Sequence, residues 1–185
     1  VTVSTSGLVP QMDRLAAEAD VREDDISARG RALLDEELPP YMAMVARLRL
    51  IGVAPPAEGL AEARDIAIAA RHAGFQGLEA SAMSRAALAE IVTGDVESAV
   101  THARLAVELA AGQGTDDLGW PAMLRDAASV LRHADLTDEA RQLAARGAAW
   151  LRDTAERHVP PEFRDSFLNR NAANLELQRL ATRLG

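Results

Sequence analysis

The residues best able to do chemistry are four histidines, His72, His102, His133 and His158, and three adjacent acid pairs, Asp24-Asp25, Glu36-Glu37 and Asp116-Asp117. A protein metal centre needs three or four donors converging on one point. No histidine here has a second His or an acid at helical ligand spacing that also meets a third donor. His72 and His133 fall in the last turns of expected helices, where a cation suits the dipole, and all four read as capping or surface groups. Neighbouring residues on a helix point about 100° apart, so adjacent acids do not face one substrate as general acid and base. They fit helix N-termini and solvated faces instead. Gly112-Gln113-Gly114 precedes a helix, as anion-binding loops do, but no strand leads into it and no Lys follows. Asp116 and Asp117 would repel phosphate, and the stretch is expected to be a loop between helices. Neither a catalytic nor a metal site emerges, no cofactor is expected, and the chain reads as non-enzymatic.

The few aromatic residues have packing roles as their first reading. Trp120, beside Pro121 at a helix start, is expected to anchor packing, with a groove residue as the other reading. Trp150 lies one residue off the Ala140, Ala144, Gly147, Leu151 stripe and is expected to cover the C-terminal segment. Phe163 and Phe167, four apart, make one apolar stripe that would plug the open end of a helical stack. The rival reading makes that stripe a self-association surface and the protein a homodimer.

Composition narrows the partners. The chain has 28 acids against 20 bases, a net charge of −8, and every base is Arg. The arginines are spread beside acids, as in Glu62-Ala63-Arg64-Asp65, and form no basic block. Direct nucleic-acid binding is therefore not expected. The absence of cysteine excludes disulfides, thiol nucleophiles and thiolate metal sites. No stretch approaches the roughly 18 apolar residues of a membrane span, and the start carries no secretory signal. Val1 stands where an initiator Met would, so the chain reads as excised from a longer one, with a cytoplasmic home expected.

The apolar residues, 48% of the chain, are mostly Ala and Leu, with only three Phe, two Trp and one Tyr. Alanine is the best helix former, and small side chains let helices approach closely. Residues 1–9 read as a linker or lead-in, and residues 10–185 as one domain. Helices are expected at Pro10–Ala19, from Glu23 to about Leu38, and from Pro39-Pro40 to about Val53. Further helices follow at Ala57–His72, Leu78–Val92, Val96–Ala111, Pro121–His133, Leu136–Arg157 and Ala172–Leu184, the last capped by Asn171. No segment shows the period-two alternation of a strand. The fold class is all-α.

Two stretches superpose at a shift of 41 residues. Met83, Ala86, Ala87 and Glu90 match Leu124, Ala127, Ala128 and Leu131. Gly94-Asp95 matches Asp135-Leu136, and Ala99, Ala103 and Ala106 match Ala140, Ala144 and Gly147. A fainter copy, shifted by 36, contains Leu50-Ile51 and then Ala63, Ala67 and Ala70. Small residues at i, i+4 and i+7 share one helix stripe, and helix pairs built this way must stack to cover their outer faces. Over residues 41–157 the pattern resembles the tetratricopeptide repeat. The clearest match is Ala86-Ala87, then Gly94-Asp95-Val96-Glu97-Ser98-Ala99, then Ala103 and Ala106. Met83, Glu90 and Ala103 stand where that family has large aromatic residues, and the spacing exceeds its usual repeat of about 34 residues. The run from His158-Val159-Pro160-Pro161 through Asn171 is similar to the end of the repeat region in large bacterial multidomain ATPase and transcriptional regulators.

The resemblance implies an α–α superhelix of about four helix pairs with a C-terminal capping helix. It implies a scaffold for protein–protein or effector recognition, with the first helix of each pair lining a groove. By the register above, the groove would show Leu48, Ser84, Leu88, Arg125, Ser129 and Arg132. Arginines beside serines suit a carboxylate or an acidic peptide segment. A small-molecule pocket between repeats is a further alternative.

Overall fold

The structure is a computed structural model that describes residues 38–111 and 119–185. The expected lead-in, the helix at Pro10–Ala19, nearly all of the helix ending near Leu38, the acid pairs and the Gly112-Gln113-Gly114 loop lie outside these residues. The described chain is all helical: α1 (Pro40–Leu50), α2 (Pro56–Ala73), α3 (Gln76–Thr93), α4 (Val96–Ala111), α5 (Trp120–His133), α6 (Thr137–Arg157) and α7 (Ala172–Leu184). A short 3₁₀ turn, Ile51–Val53, joins α1 to α2. A 3₁₀ turn at Pro161–Phe163 and a π turn at Ser166–Arg170 lead from α6 to α7. No strand occurs among the described residues.

Three of the turns share one geometry. Gly74, Gly94 and Asp135 adopt left-handed backbone at φ of 76°, 89° and 62°. In each turn the next residue's N–H reaches back to a carbonyl five residues earlier: Phe75 to Ala70, Asp95 to Glu90 and Leu136 to Leu131, all at 2.9 Å. That residue then opens the following helix, its own carbonyl accepting from Glu79, Ala99 or Ala140. One residue therefore closes one helix and starts the next, and the chain reverses within two or three residues. The equivalence of Gly94-Asp95 with Asp135-Leu136 is thus geometric. Asp95 also caps α4 by accepting from Ser98 N at 3.1 Å.

The packing places the helices in two layers. Each helix lies against its sequence neighbours, and α3 also lies against α1 and α5, and α5 against α7. The first layer is α1, α3, α5 and α7, and α2, α4 and α6 form the second. The second-layer helices bury the small-residue stripes: Ala63, Ala67 and Ala70; Ala99, Ala103 and Ala106; Ala140, Ala144 and Gly147. Larger residues fill the remaining space. Met44, Ile51, Ile66 and Leu78 pack between α1, α2 and α3, and Trp120, Met123, Leu124, Leu151, Leu177 and Leu180 between α5, α6 and α7.

Helix α7 stands on α5 and α6 as a further first-layer helix. Asn171 caps it, accepting from Asn174 N at 3.1 Å. The connector is tied down by side chains: Asn174 Nδ2 donates to Phe167 O and Gln178 Nε2 to Leu168 O, both at 2.8 Å. Arg164 donates to the carbonyls of Glu156 and Val159 at the end of α6. Phe167 and Trp150 pack against the C-terminal core. Phe163 is 53% exposed, because the 3₁₀ turn breaks the helical spacing that would put it beside Phe167. The end of the stack is covered mainly by Leu177 and Leu180.

A Cβ at Gly147 would lie 2.7 Å from Leu177 Cδ2 and 3.1 Å from Leu124 Cδ1. Gly147→Val is expected to destabilise by about 2 kcal/mol or more through overpacking, read as a fall of roughly 6 °C in melting temperature by circular dichroism. Asp135 is the one described non-glycine residue at positive φ. Asp135→Gly is expected to relieve about 1 kcal/mol, read as a melting rise of roughly 3 °C.

Candidate functional site

Three first-layer helices present matching stripes at three- and four-residue spacing, and a hollow of about 450 Å³ lies between them. Tyr41, Val45, Leu48 and Arg49 come from α1, and Gly77, Leu78, Ser81, Ser84 and Arg85 from α3. Gly119, Ala122, Met123 and Asp126 come from the start of α5 and its first turns. The walls are largely apolar, with the polar groups concentrated on α3 and α5. Ser84 is only 2% exposed, and its Oγ has no hydrogen-bond partner among the described residues. A buried hydroxyl left unpaired costs on the order of 1–3 kcal/mol.

Asp126 is buried and lines the same hollow. Arg125 Nε donates to its Oδ1 at 2.7 Å, and Arg85 Nη1 stands 3.7 Å from its Oδ2. Burial pushes the Asp126 carboxyl above its ordinary value, and the attraction of Arg125 and Arg85 only partly opposes that shift.

A second hollow, of about 700 Å³, opens between α5 and α7 and is lined by Arg125, Ser129, Glu176, Gln178, Arg179, Leu180, Thr182 and Arg183. Arg125 Nη1 donates to Glu176 Oε2 at 2.5 Å, and Ser129 Oγ donates to Arg125 O at 2.8 Å. The Arg125–Asp126 pair joins the two hollows.

The groove residues expected from the sequence therefore do not share one site. Leu48 and Ser84 line the first hollow, and Arg125 and Ser129 the second. Leu88 packs on Ala87, Ala99 and their neighbours in the core, and Arg132 is exposed in the last turn of α5, lining neither hollow. Arg125 was expected to offer its fork to a partner's carboxylate. Asp126 and Glu176 of the chain itself hold that fork, because α7 occupies the adjoining place in the layer.

Sequence reasoning missed the buried acids. Glu90 of α3 is fully buried and bridges three helices: Arg64 Nη2 of α2 donates to it at 2.7 Å, and His102 Nδ1 of α4 lies 2.7 Å from Oε2. His102, read as a surface or capping group, is instead a half-buried partner of Glu90. Glu79 is buried likewise and accepts from Arg71 Nε at 2.7 Å. A usable signal was the register, in which Glu90 stands where the next repeat has the core residue Leu131.

Trp120 is buried in the core as a packing anchor, with Arg146 over its ring at 5.4 Å. Among the described residues no group of three His, Asp or Glu is placed to hold a metal ion, and no helix is long and apolar enough to cross a membrane. In comparisons with protein-family models, curated proteins and solved structures, nothing matches this chain.

The raised carboxyl of Asp126 has a definite sign in stability. The folded state binds this proton more tightly than the unfolded chain, so the contribution of Asp126 is most favourable below its ordinary value of 3.8 and is lost as pH rises through the raised value. Carboxyls held low, such as Glu139 through its hydrogen bonds from Arg104, act with the opposite sign. The difference between proteins is therefore the quantity to read. In urea denaturation from about pH 4 to pH 7, the stability of Asp126→Asn relative to the parent is expected to increase with pH; a flat difference would contradict the assignment.

Proposed function

We propose that this chain is a non-catalytic helical-repeat module of the tetratricopeptide type, whose first-layer face holds a segment of a partner protein. The proposal includes its setting, a larger bacterial signalling or transcriptional regulator, for which the resemblance of the run from His158 to Asn171 is the support. The repeat type is supported by three left-handed turns of one geometry and three second-layer stripes of small residues.

The observation that carries the binding role is Ser84. A hydroxyl buried to 98%, without a partner, in a hollow bounded by three helices keeps a hydrogen bond in reserve for something outside the described chain. Val45, Leu48, Leu78 and Met123 offer apolar contact around it. That mixture of apolar wall and a few polar groups suits a bound peptide. None of the four histidines lines this hollow, and its one carboxylate, Asp126, is held by Arg125.

The test is selection of random peptides displayed on phage against the full chain, followed by calorimetry with the recovered peptides. Ser81→Trp, which fills the hollow from α3, is expected to abolish binding while circular dichroism stays helical. Ser84→Ala is expected to weaken binding by about three- to tenfold and, by removing an unpaired buried hydroxyl, to raise the melting temperature. Equal binding of the recovered peptides to Ser81→Trp would remove the hollow from consideration.

A further inference from the structure

Resting on that reading, we infer that the segment held on the first-layer face is acidic, with apolar residues between its carboxylates, and that it runs from the α1–α3–α5 hollow across Arg125–Asp126 toward α7. The chain as a whole has 28 acids against 20 bases. The two hollows reverse that balance: Arg49, Arg85, Arg125, Arg179 and Arg183 line them, against Asp126 and Glu176. The two acids are both engaged by Arg125. Arg85 reaches Asp126 only at 3.7 Å, and Arg49, Arg179 and Arg183 have no ion-pair partner among the described residues. The excess arginine is therefore available to an incoming chain. On the second layer α2 and α4 carry the opposite excess, with Glu58, Glu62 and Asp65 against Arg64 and Arg71, and Glu97 and Glu108 against Arg104.

Guanidinium forks bind carboxylates in a bidentate way and attract acidic ligands over roughly a Debye length. The apolar walls at Val45, Leu48 and Met123 call for apolar side chains between the acids. A nucleic acid fits less well. Asp126 and Glu176 would lie against its continuous phosphate charge, and the one ring in the hollow, Tyr41, already stacks edge-on with Phe75 at 5.2 Å.

The experiment uses the full chain and a fluorescein-labelled peptide of alternating Glu and Leu with Ser spacers, about twelve residues long, enough to cross two hollows in extended form. The same peptide with Gln for Glu and a single-stranded DNA of similar length are the comparators. Fluorescence anisotropy is expected to show the Glu peptide binding at least about tenfold tighter than the Gln peptide at low salt, with the advantage shrinking as salt is raised. Arg49→Ala with Arg179→Ala, two exposed and unpaired arginines, is expected to weaken the Glu peptide by about tenfold at unchanged melting temperature. Arg152→Ala with Arg157→Ala on α6 is expected to leave its affinity unchanged. Absence of Glu-peptide binding, equal binding of the Gln peptide, or equal effects of the two double variants would overturn the acidic assignment. Those results would leave the hollow itself to the separate Ser81→Trp test. DNA binding more tightly than the Glu peptide would overturn it in favour of a nucleic-acid partner.

Discussion

Close approach of the two helix layers is the constraint on which the rest of the structure depends. Each second-layer helix buries a stripe of three residues no larger than alanine against the first layer. At Gly147 even a methyl group would crowd Leu177 and Leu124. Interiors are close-packed, so helices held this near leave little volume for rings, which accounts for a chain with six aromatic residues among 185. It also explains α3. Packed against α1, α2, α4 and α5, this helix buries Ala80, Ala82, Ala86, Ala87 and Ala89 together with Leu78, Ser84 and the acids Glu79 and Glu90.

The turns convert that spacing into a repeated arrangement. At the α2–α3, α3–α4 and α5–α6 turns one residue serves as both the end of a helix and the start of the next, so the rotation of the second helix relative to the first is set within two or three residues. The stripes Tyr41, Val45 and Leu48 on α1, Gly77, Ser81 and Ser84 on α3, and Gly119, Ala122 and Asp126 on α5 come to one face. Asp135 shows how strong the requirement is, since it holds the left-handed position without glycine's freedom.

Helix boundaries, the small-residue stripes and the turn equivalence were legible in the sequence, because each rests on local chemistry: proline at a first turn, glycine at a left-handed position, alanine at spacings of three and four. The candidate site was legible only in part. Leu48 and Ser84 were found because register along a helix assigns a face. Leu88 was lost to the core because α3 is covered on more sides than an amphipathic helix would be. Arg125 was placed on the right layer, but its partner Glu176 lies 51 residues away on a helix whose docking no local pattern announces. Burial of Glu79 and Glu90 was not foreseen, since acids usually face solvent, and His102 read as a capping or surface group. Their burial depends on Arg71 and Arg64 arriving from α2, a fact of assembly and not of local sequence.

These buried acids also shape the exposed face. Taking a carboxylate from water is costly unless a charge and hydrogen bonds replace the solvent. Here the replacement comes from the second layer: Arg64 and Arg71 turn inward to Glu90 and Glu79, and His102 joins from α4. Ion pairs between layers add little net stability in general, but each is satisfied in only one register, so they oppose sliding of alanine-rich surfaces that would otherwise pack almost as well one turn out of place. The same pairing has an electrostatic result. Two of the first layer's acids are neutralised from behind, which leaves Arg49, Arg179 and Arg183 without an ion-pair partner among the described residues on the opposite side. An acidic chain thereby presents arginine-rich hollows without any basic block in its sequence, and the charge on that face is set by how the two layers pair with each other.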